Sequence, residues 1–144
     1  MVRRLVQTVF LLGLAVSSAL AADDYLAAMA AEDGAVTTAS GLVYRELTAG
    51  SGASPTVRSV VKAHYHGTLA DGSVFDSSVQ RGEPLVIPLN RVIQCWQEGI
   101  PMMKVGGKSK LTCPASIAYG DRAAGSIPPG STLTFEVELL EILR

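Results

Sequence analysis

The two histidines of this sequence, His64 and His66, lie two residues apart with Tyr65 between them, and imidazole is a common metal ligand. Residues two apart on a strand point to the same face, so both imidazoles could reach one ion. No third ligand accompanies them, and zinc sites use three or four protein ligands. We therefore expect both rings on the polar side of a strand, facing solvent.

Other reactive arrangements are missing from the sequence. It has no nucleophile elbow with a Ser-His-Asp set, no HExxH pair, no zinc-type cysteine spacing and no glycine-rich phosphate loop. A function that needs no nucleophile, metal or cofactor agrees with these absences.

Aromatic side chains offer a different chemistry, an apolar binding pocket. Trp96 is the sole tryptophan and lies on the apolar face of a helix predicted over residues 91–103, which Pro101 must distort near its end. Three more aromatic residues fall on predicted strands: Tyr65, Phe75 and Phe135. Taken singly, each of these residues is more often ordinary core than the floor or wall of a pocket.

The elements that would position these residues are mostly strands. Alternating apolar and polar residues predict strands over 42–47, 57–69, 74–75, 108–113 and 133–139. Asp71-Gly72 is a hairpin signal between two of them. Long alternating strands without regular helical crossovers indicate an antiparallel sheet, with the one amphipathic helix covering a face. The predicted fold class is α+β.

The N-terminus predicts export. Arg3 and Arg4 precede an apolar run over residues 5–16, and Ala19-Leu20-Ala21 is a small-x-small cleavage site, so residues 1–22 are interpreted as a signal peptide cut near Ala21/Ala22. The alternative, an uncleaved anchor, is disfavoured because the run is short for a membrane span. We expect a periplasmic or secreted protein with no stable membrane anchor after cleavage.

Net charge and length limit the possible partners and the number of domains. The 144 residues carry a net charge of −1, and 12 basic residues less two signal-peptide arginines leave 10 against 13 acidic ones, a net charge of −3. No basic excess supports binding to nucleic acid. The length suits one domain, assigned to residues 41–144. Residues 23–33 favour a helix ended by Gly34 and 34–40 a flexible linker, together an N-terminal segment over 23–40.

The two cysteines, Cys95 and Cys113, leave two interpretations open. They are either small buried apolar residues or a structural disulfide that ties the helix to the sheet, which an oxidising compartment would permit. A redox site is disfavoured because the sequence has no CxxC motif.

Five segments then carry a family resemblance: VKAHYHGTLADGSVFDSS (61–78), RGEP (81–84), VIQCWQEGIPMMKVGGKSKL (92–111), IAYGD (117–121) and IPPGSTLTFEVELLEIL (127–143). Together, in this order, they resemble the FKBP-type peptidyl-prolyl isomerases, especially the bacterial macrophage-infectivity-potentiator group, over about 70% of the chain. The resemblance implies a half-open antiparallel sheet wrapped around one short helix.

The resemblance also implies a role for individual residues. The walls and floor of the family's proline pocket are matched by Tyr65, Phe75, Val92, Ile93, Trp96 and Phe135. Asp76 matches a carboxylate at the pocket edge and Tyr119 a hydroxyl that donates to a ligand carbonyl, so these two are the candidate catalytic residues. The backbone N–H of Ile93 matches a second donor, Ile127 a loop that closes over the site, and Arg81 a basic residue near the carboxylate.

Four positions depart from the family pattern. Leu85 lies in the pocket wall where well-known members have phenylalanine, and Ser126 replaces an apolar loop residue. Cys95 replaces the usual glycine before the tryptophan, and Pro101 is unusual at the helix end. The first two changes predict weaker binding of macrocyclic inhibitors or a different preference for the residue before proline.

The function implied is cis–trans isomerisation of X–Pro bonds in exported proteins, without a covalent intermediate or cofactor. Expected ligands are proline-containing polypeptides and macrocyclic inhibitors such as rapamycin and tacrolimus. One rival is a chaperone or adhesin module that binds proline segments with little turnover. Another is a structural carrier of a dimerising helix, but residues 23–40 are short for that, so we expect a monomer or weak dimer.

Overall fold

A computed structural model describes residues 17–144, and the side chains from Ala22 onward. Most of the predicted signal peptide therefore lies outside the described residues. The helices are α1 (Ser17–Ala30), α2 (Ser78–Arg81) and α3 (Gln94–Gly99), with 3₁₀ turns at Leu89–Arg91, Ile100–Met102 and Ala115–Ile117. The strands are β1 (Val36–Thr37), β2 (Val43–Thr48), β3 (Val60–Leu69), β4 (Val74–Ser77), β5 (Leu85–Pro88), β6 (Lys108–Cys113) and β7 (Leu133–Ile142).

Within the described residues the strands form one antiparallel sheet in the order β1-β2-β6-β7-β3-β4, with β5 also paired to β3. Alternate residues of β3 are buried, as its period-two pattern predicts. Strand β7 runs along β3 from Leu133 opposite Leu69 to Ile142 opposite Val61, with one irregularity near its end. The predicted antiparallel α+β architecture is confirmed.

The core lies between the buried face of the sheet and α3. Its fully buried side chains include Val61, Leu111 and Leu139 of the sheet, Leu42 just before β2, and Leu89 and Ile100 of the 3₁₀ turns on either side of α3. The helix approaches β6 closely at Gly99, where an added Cβ would lie 2.4 Å from Leu111 Cδ2. Cys95 of α3 and Cys113 of β6 are both fully buried, and the structure joins them in a disulfide with Cα atoms 5.8 Å apart. Helix and sheet therefore meet through close packing and a covalent link.

The helix predicted over residues 91–103 is wrong in its length. Val92 and Ile93 have extended backbone, and only Gln94–Gly99 is α-helical. Both are β-branched residues, which lose side-chain freedom in a helix. Pro101 has no N–H to donate to the carbonyl four residues earlier, and the chain continues as a 3₁₀ turn.

The N-terminal segment also differs from expectation. The helix expected over residues 23–33 is α1, which already includes Ser17 and ends at Ala30. Instead of a flexible linker, residues 34–40 contain β1 paired with β2, and Thr38 N–H donates to the Leu42 carbonyl at 2.9 Å. The hydroxyls of Tyr25 and Thr134 are 2.6 Å apart, so α1 contacts the sheet. None of the helices within residues 17–144 has the length and apolarity to span a bilayer.

Candidate active site

A cavity of about 420 Å³ opens where the buried face of the sheet meets the start of α3. Its lining residues are Tyr65, Phe75, Asp76, Leu85, Ile87, Arg91, Val92, Ile93, Trp96, Tyr119 and Phe135. Nine of the eleven positions in the predicted pocket thus lie around one hollow, from β3, β4, β5, β7, α3 and the loop after the last 3₁₀ turn. The exceptions are Arg81 and Ile127.

Four aromatic rings form the floor and two walls of the cavity. The Trp96 ring meets Tyr65 and Phe135 edge to face, each at a centroid distance of 5.2 Å. Phe135 also meets Phe75 at 5.5 Å in the same manner. Offset and T-shaped contacts are the favoured geometries of aromatic pairs. Each ring fixes its neighbour, so the cavity is preformed and apolar at its base.

Strand alternation explains how these rings converge. Tyr65 of β3 lies opposite Val137 of β7, and Phe135 lies opposite Gly67, so both rings leave the buried face of adjacent strands. Phe75 of β4 folds over Gly67, where an added Cβ would lie 2.5 Å from the Phe75 ring. Only glycine leaves room for that ring beside the cavity.

Trp96 lies beneath the cavity and is only 5% exposed. Its indole nitrogen is buried and has no hydrogen-bond acceptor among the described residues. The floor therefore adds no hydrogen-bonded polar pair to the base of the cavity.

A polar triad lies at the rim. The Tyr65 hydroxyl donates to Asp76 Oδ2 at 2.5 Å, and the Arg81 guanidinium pairs with Asp76 Oδ1 and donates to the Tyr65 hydroxyl at 3.1 Å. The Arg81 carbon also lies 5.7 Å from the centre of the Tyr65 ring. Arg81 is thus held outside the cavity lining, behind the carboxylate.

Within the triad, the pKa values of Asp76 and Tyr65 are shifted in opposite directions. Burial would raise the pKa of Asp76, but hydrogen bonds from Tyr65 and Arg81 and the guanidinium charge hold it below the usual value. The pKa of Tyr65 is raised, first by burial and then by its hydrogen bond to the carboxylate. At neutral pH Asp76 is therefore an anion and Tyr65 a neutral donor.

Two further groups supply unused donors at the cavity. The Tyr119 side chain is 41% exposed and lines the cavity after the 3₁₀ turn at Ala115–Ile117. The backbone N–H of Ile93, just before α3, finds no acceptor within residues 17–144, whereas its carbonyl accepts from the N–H groups of Trp96 and Gln97. Both donors could reach a carbonyl group of a bound peptide.

Ile127 lies in the loop beside the cavity and does not line it. It borders a neighbouring hollow of about 290 Å³ with Phe75, Asp76 and Tyr119, and an isolated bridge joins it to Ala124. Its side chain is buried, at 6% exposed. The loop is therefore anchored next to the site.

Sequence reasoning missed two lining residues, Ile87 and Arg91. Ile87 is two residues from Leu85 on β5, so alternation places both on one face, but no strand was predicted over residues 85–88. Arg91 gave no such signal, because its place follows from the 3₁₀ turn that replaces the predicted helix start.

The two histidines lie away from the cavity. Their Nδ1 atoms are 2.8 Å from the Ser78 hydroxyl for His64 and 2.9 Å from the Ser77 hydroxyl for His66. Both rings lie on the more exposed face of β3, as expected, although these contacts with the start of α2 leave them only partly exposed. Across residues 17–144 no cluster of three or more metal-ligating side chains occurs.

Comparison with known proteins identifies the family. A model of the "FKBP-type peptidyl-prolyl cis-trans isomerase" family matches residues 52–140. The "FKBP-type peptidyl-prolyl cis-trans isomerase FkpA" of Aeromonas hydrophila is 52% identical over 120 residues, which cover 83% of this chain and 45% of that protein. "Peptidyl-prolyl cis-trans isomerase Mip" of Coxiella burnetii is 42% identical over 121 residues, covering 83% and 53%. The chain thus spans about half the length of these curated relatives.

A solved structure agrees with the fold. The crystal structure of FkpA from Escherichia coli superposes with a TM-score of 0.84 at 44% identity and covers 89% of this chain and 60% of that one. Because the family model covers more than half of the residues, and the fold agrees so closely with a solved relative, this chain belongs to the FKBP-type peptidyl-prolyl cis-trans isomerases, in their Mip-like bacterial group.

Proposed function

We propose that this protein catalyses cis–trans isomerisation of X–Pro bonds in exported polypeptides, with the proline ring bound on Trp96. The observation that carries the proposal is the apolar cavity of about 420 Å³, preformed by four interlocking aromatic rings. A pyrrolidine ring is small and apolar, so it fits such a hollow without any reactive group.

The chemistry follows from amide resonance. Rotation about the C–N bond has a barrier of about 18–20 kcal/mol, because the planar amide is resonance-stabilised. The twisted amide loses that resonance and much of its dipole. An apolar cavity favours this less polar form over the planar ground state, and a reduction of the barrier by roughly 6–8 kcal/mol gives a rate gain of about 10⁴ to 10⁶.

Hydrogen bonds would fix the rotated geometry. The Tyr119 hydroxyl and the Ile93 N–H are both at the cavity and unused by the fold. Donors held in place before the reaction stabilise a transition state without reorganisation. We assign them to carbonyl oxygens on either side of the rotating bond.

Asp76 has two candidate roles, direct electrostatic action on the amide and bracing of the Tyr65 wall. Its two carboxylate oxygens already accept from Tyr65 and Arg81, which favours bracing. Replacement by leucine should keep the fold and lower turnover under either role. Tyr65→Phe separates them, because it removes the bracing bond and leaves the charge. An equal loss of kcat/KM in both variants supports bracing, and an unaffected Tyr65→Phe variant supports direct action.

The test of the function is a protease-coupled isomerase assay on an Ala-Leu-Pro peptide, with and without rapamycin. Trp96→Ala should lower kcat/KM by at least tenfold. Leu139→Ala is the matched control, since Leu139 is fully buried but does not line the cavity. Normal peptide binding with no turnover in the wild type would instead favour the proline-binding chaperone or adhesin module. Loss of activity in the control alone would contradict the assignment of the cavity.

We propose an oxidising, exported location on two grounds. The N-terminal sequence has the charge and hydrophobicity of a signal peptide, and the structure places a buried disulfide in the core. Intact mass of the protein from a periplasmic or culture fraction should match a chain that starts near Ala22. A full-length mass would contradict cleavage there.

A further inference from the structure

A further hollow, of about 520 Å³, lies next to the proposed proline cavity and is lined by three arginines. Its residues are Arg58, Val60, Pro88, Asn90, Arg91 and Arg144, and we call it the basic groove. None of the six is acidic, although the whole chain carries a net charge of −1. The positive charge is therefore concentrated locally.

The fold brings the three arginines together from distant parts of the sequence. Arg58 lies in the turn before β3, Arg91 ends a 3₁₀ turn after β5, and Arg144 follows β7. Backbone hydrogen bonds hold the segments around Val60, whose N–H donates to a main-chain oxygen of Arg144 at 2.9 Å. The Leu89 N–H donates to the Ser59 carbonyl at 2.9 Å and fixes the third segment. The cluster is thus held by the sheet and not by chance side-chain positions.

The arginine charges are unmatched within the described part of the chain. All three side chains are exposed, and none forms an ion pair with an acidic residue there. The nearby acid Glu141 is paired with Lys62 at 3.6 Å. Guanidinium groups stay charged at all physiological pH values and hold carboxylates in a planar fork. A groove of this kind suits an anionic segment.

Arg91 connects the groove to the proline cavity, because it lines both. The next two residues, Val92 and Ile93, are part of the cavity wall. A polypeptide whose proline lies on Trp96 therefore passes Arg91 as it leaves the site on that side. Continuity with the cavity and charge complementarity identify the occupant as the same polypeptide.

We infer that this protein prefers X–Pro sites flanked, within a few residues, by aspartate or glutamate, which the basic groove binds. The inference rests on the proposed isomerase function. Each exposed charge pair contributes little, so two or three pairs should raise kcat/KM by about 3- to 10-fold at low salt. The gain should fade as the Debye length shrinks to about 3 Å near 1 M salt.

The test compares peptides that differ only in their flanks. Leu-Pro peptides with two neutral residues, or two glutamates placed before or after the Leu-Pro pair, are followed by NMR exchange spectroscopy, which needs no protease. The acidic-to-neutral ratio of kcat/KM should exceed 3 for at least one placement in about 20 mM salt and fall toward 1 in about 1 M salt. The Arg58→Gln/Arg144→Gln double variant should lose most of that advantage. Lys104→Gln, which removes an exposed charge outside the groove, should keep it.

The outcomes separate the two proposals. A wild type that does not turn over the neutral peptide refutes the isomerase function itself. Turnover of the neutral peptide with a ratio near 1 for both placements refutes the basic groove alone. A ratio above 3 that survives in the double variant, once thermal unfolding has shown it to be folded, also refutes it. Co-sedimentation with phosphatidylglycerol vesicles, without any acidic-peptide advantage, would reassign the groove to a lipid surface and overturn the inference.

Discussion

Removing the link between Cys95 and Cys113 should destabilise the protein without unfolding it. The cross-link closes a loop with a sequence separation of 18 residues. For a loop of that length, the chain-entropy relation gives about 3 kcal/mol at 25 °C. Replacing both cysteines with alanine adds the loss of two fully buried sulfur atoms, at about 0.5–1.5 kcal/mol each by analogy with other small core deletions. We expect losses of about 3 kcal/mol on reduction and about 4–6 kcal/mol in the double alanine variant.

Urea unfolding measures both losses, followed by tryptophan fluorescence. Trp96 is the sole tryptophan and is adjacent to Cys95, so the signal comes from the helix that the disulfide anchors. The midpoint should fall on reduction of the wild type. The double alanine variant should have a still lower midpoint that no longer responds to reductant, which makes it the control for reductant effects elsewhere.

Two results would refute this reasoning. One is an unchanged urea midpoint after complete reduction, which would mean that the cross-link does not restrict the unfolded chain. The other is the labelling of two thiols in the denatured, unreduced protein from an oxidising compartment. That result would leave Cys95 and Cys113 as two small buried residues.

Three more predictions follow from close contacts and charge. Gly67→Ala should displace the Phe75 ring, because the new Cβ would lie 2.5 Å from it. We expect kcat/KM to fall about tenfold in the isomerase assay. An unchanged rate would show that the ring is not needed. Gly99→Ala would place its Cβ 2.4 Å from Leu111 Cδ2 and should lower the free energy of unfolding by about 1–3 kcal/mol, measured by urea unfolding; no change would mean that the helix moves freely on β6. The folded-state pKa of Asp76 lies below its ordinary value of 3.8, so the stability that it contributes is present above about pH 4 and is lost as pH falls through the folded pKa. Since the carboxylate is about half exposed, that contribution should be below about 1 kcal/mol, and Asp76→Asn should flatten the acid limb of the midpoint-versus-pH curve.

Five of the seven strands within residues 17–144 were predicted from the sequence, and β1 and β5 were not. In β3 and β7 the sheet has one buried and one more exposed face, so burial follows the period-two pattern of the residues. The start of helix α3 was harder to predict from the sequence. The apolar periodicity continues through Val92 and Ile93, although the backbone of both residues is extended. Strand β1 has two residues and depends on its pairing with β2, which no local pattern encodes.

The aromatic residues of the site were predicted from the family resemblance, and no single residue indicated a pocket by itself. Trp96, Tyr65 and Phe135 are ordinary core residues by composition, and only the pairing of β3 with β7 and the placement of α3 bring their rings together. The arginines of the basic groove show the same limit more strongly. Arg58 and Arg144 are far apart in sequence, and each alone is an ordinary surface charge that does not indicate a groove.

The rim of the cavity indicates how a site without a reactive group can still direct a reaction. Against the effect of burial, hydrogen bonds from Tyr65 and Arg81 hold the pKa of Asp76 below its usual value. Burial and the hydrogen bond to the same carboxylate raise the pKa of Tyr65. The two pKa values move apart, so the proton between Tyr65 and Asp76 stays on the tyrosine across the neutral range. Neither group is poised for proton transfer, which needs a pKa near the working pH. The triad therefore holds the Tyr65 ring in place, and the proposed rotation of an amide in the cavity needs no proton transfer from it.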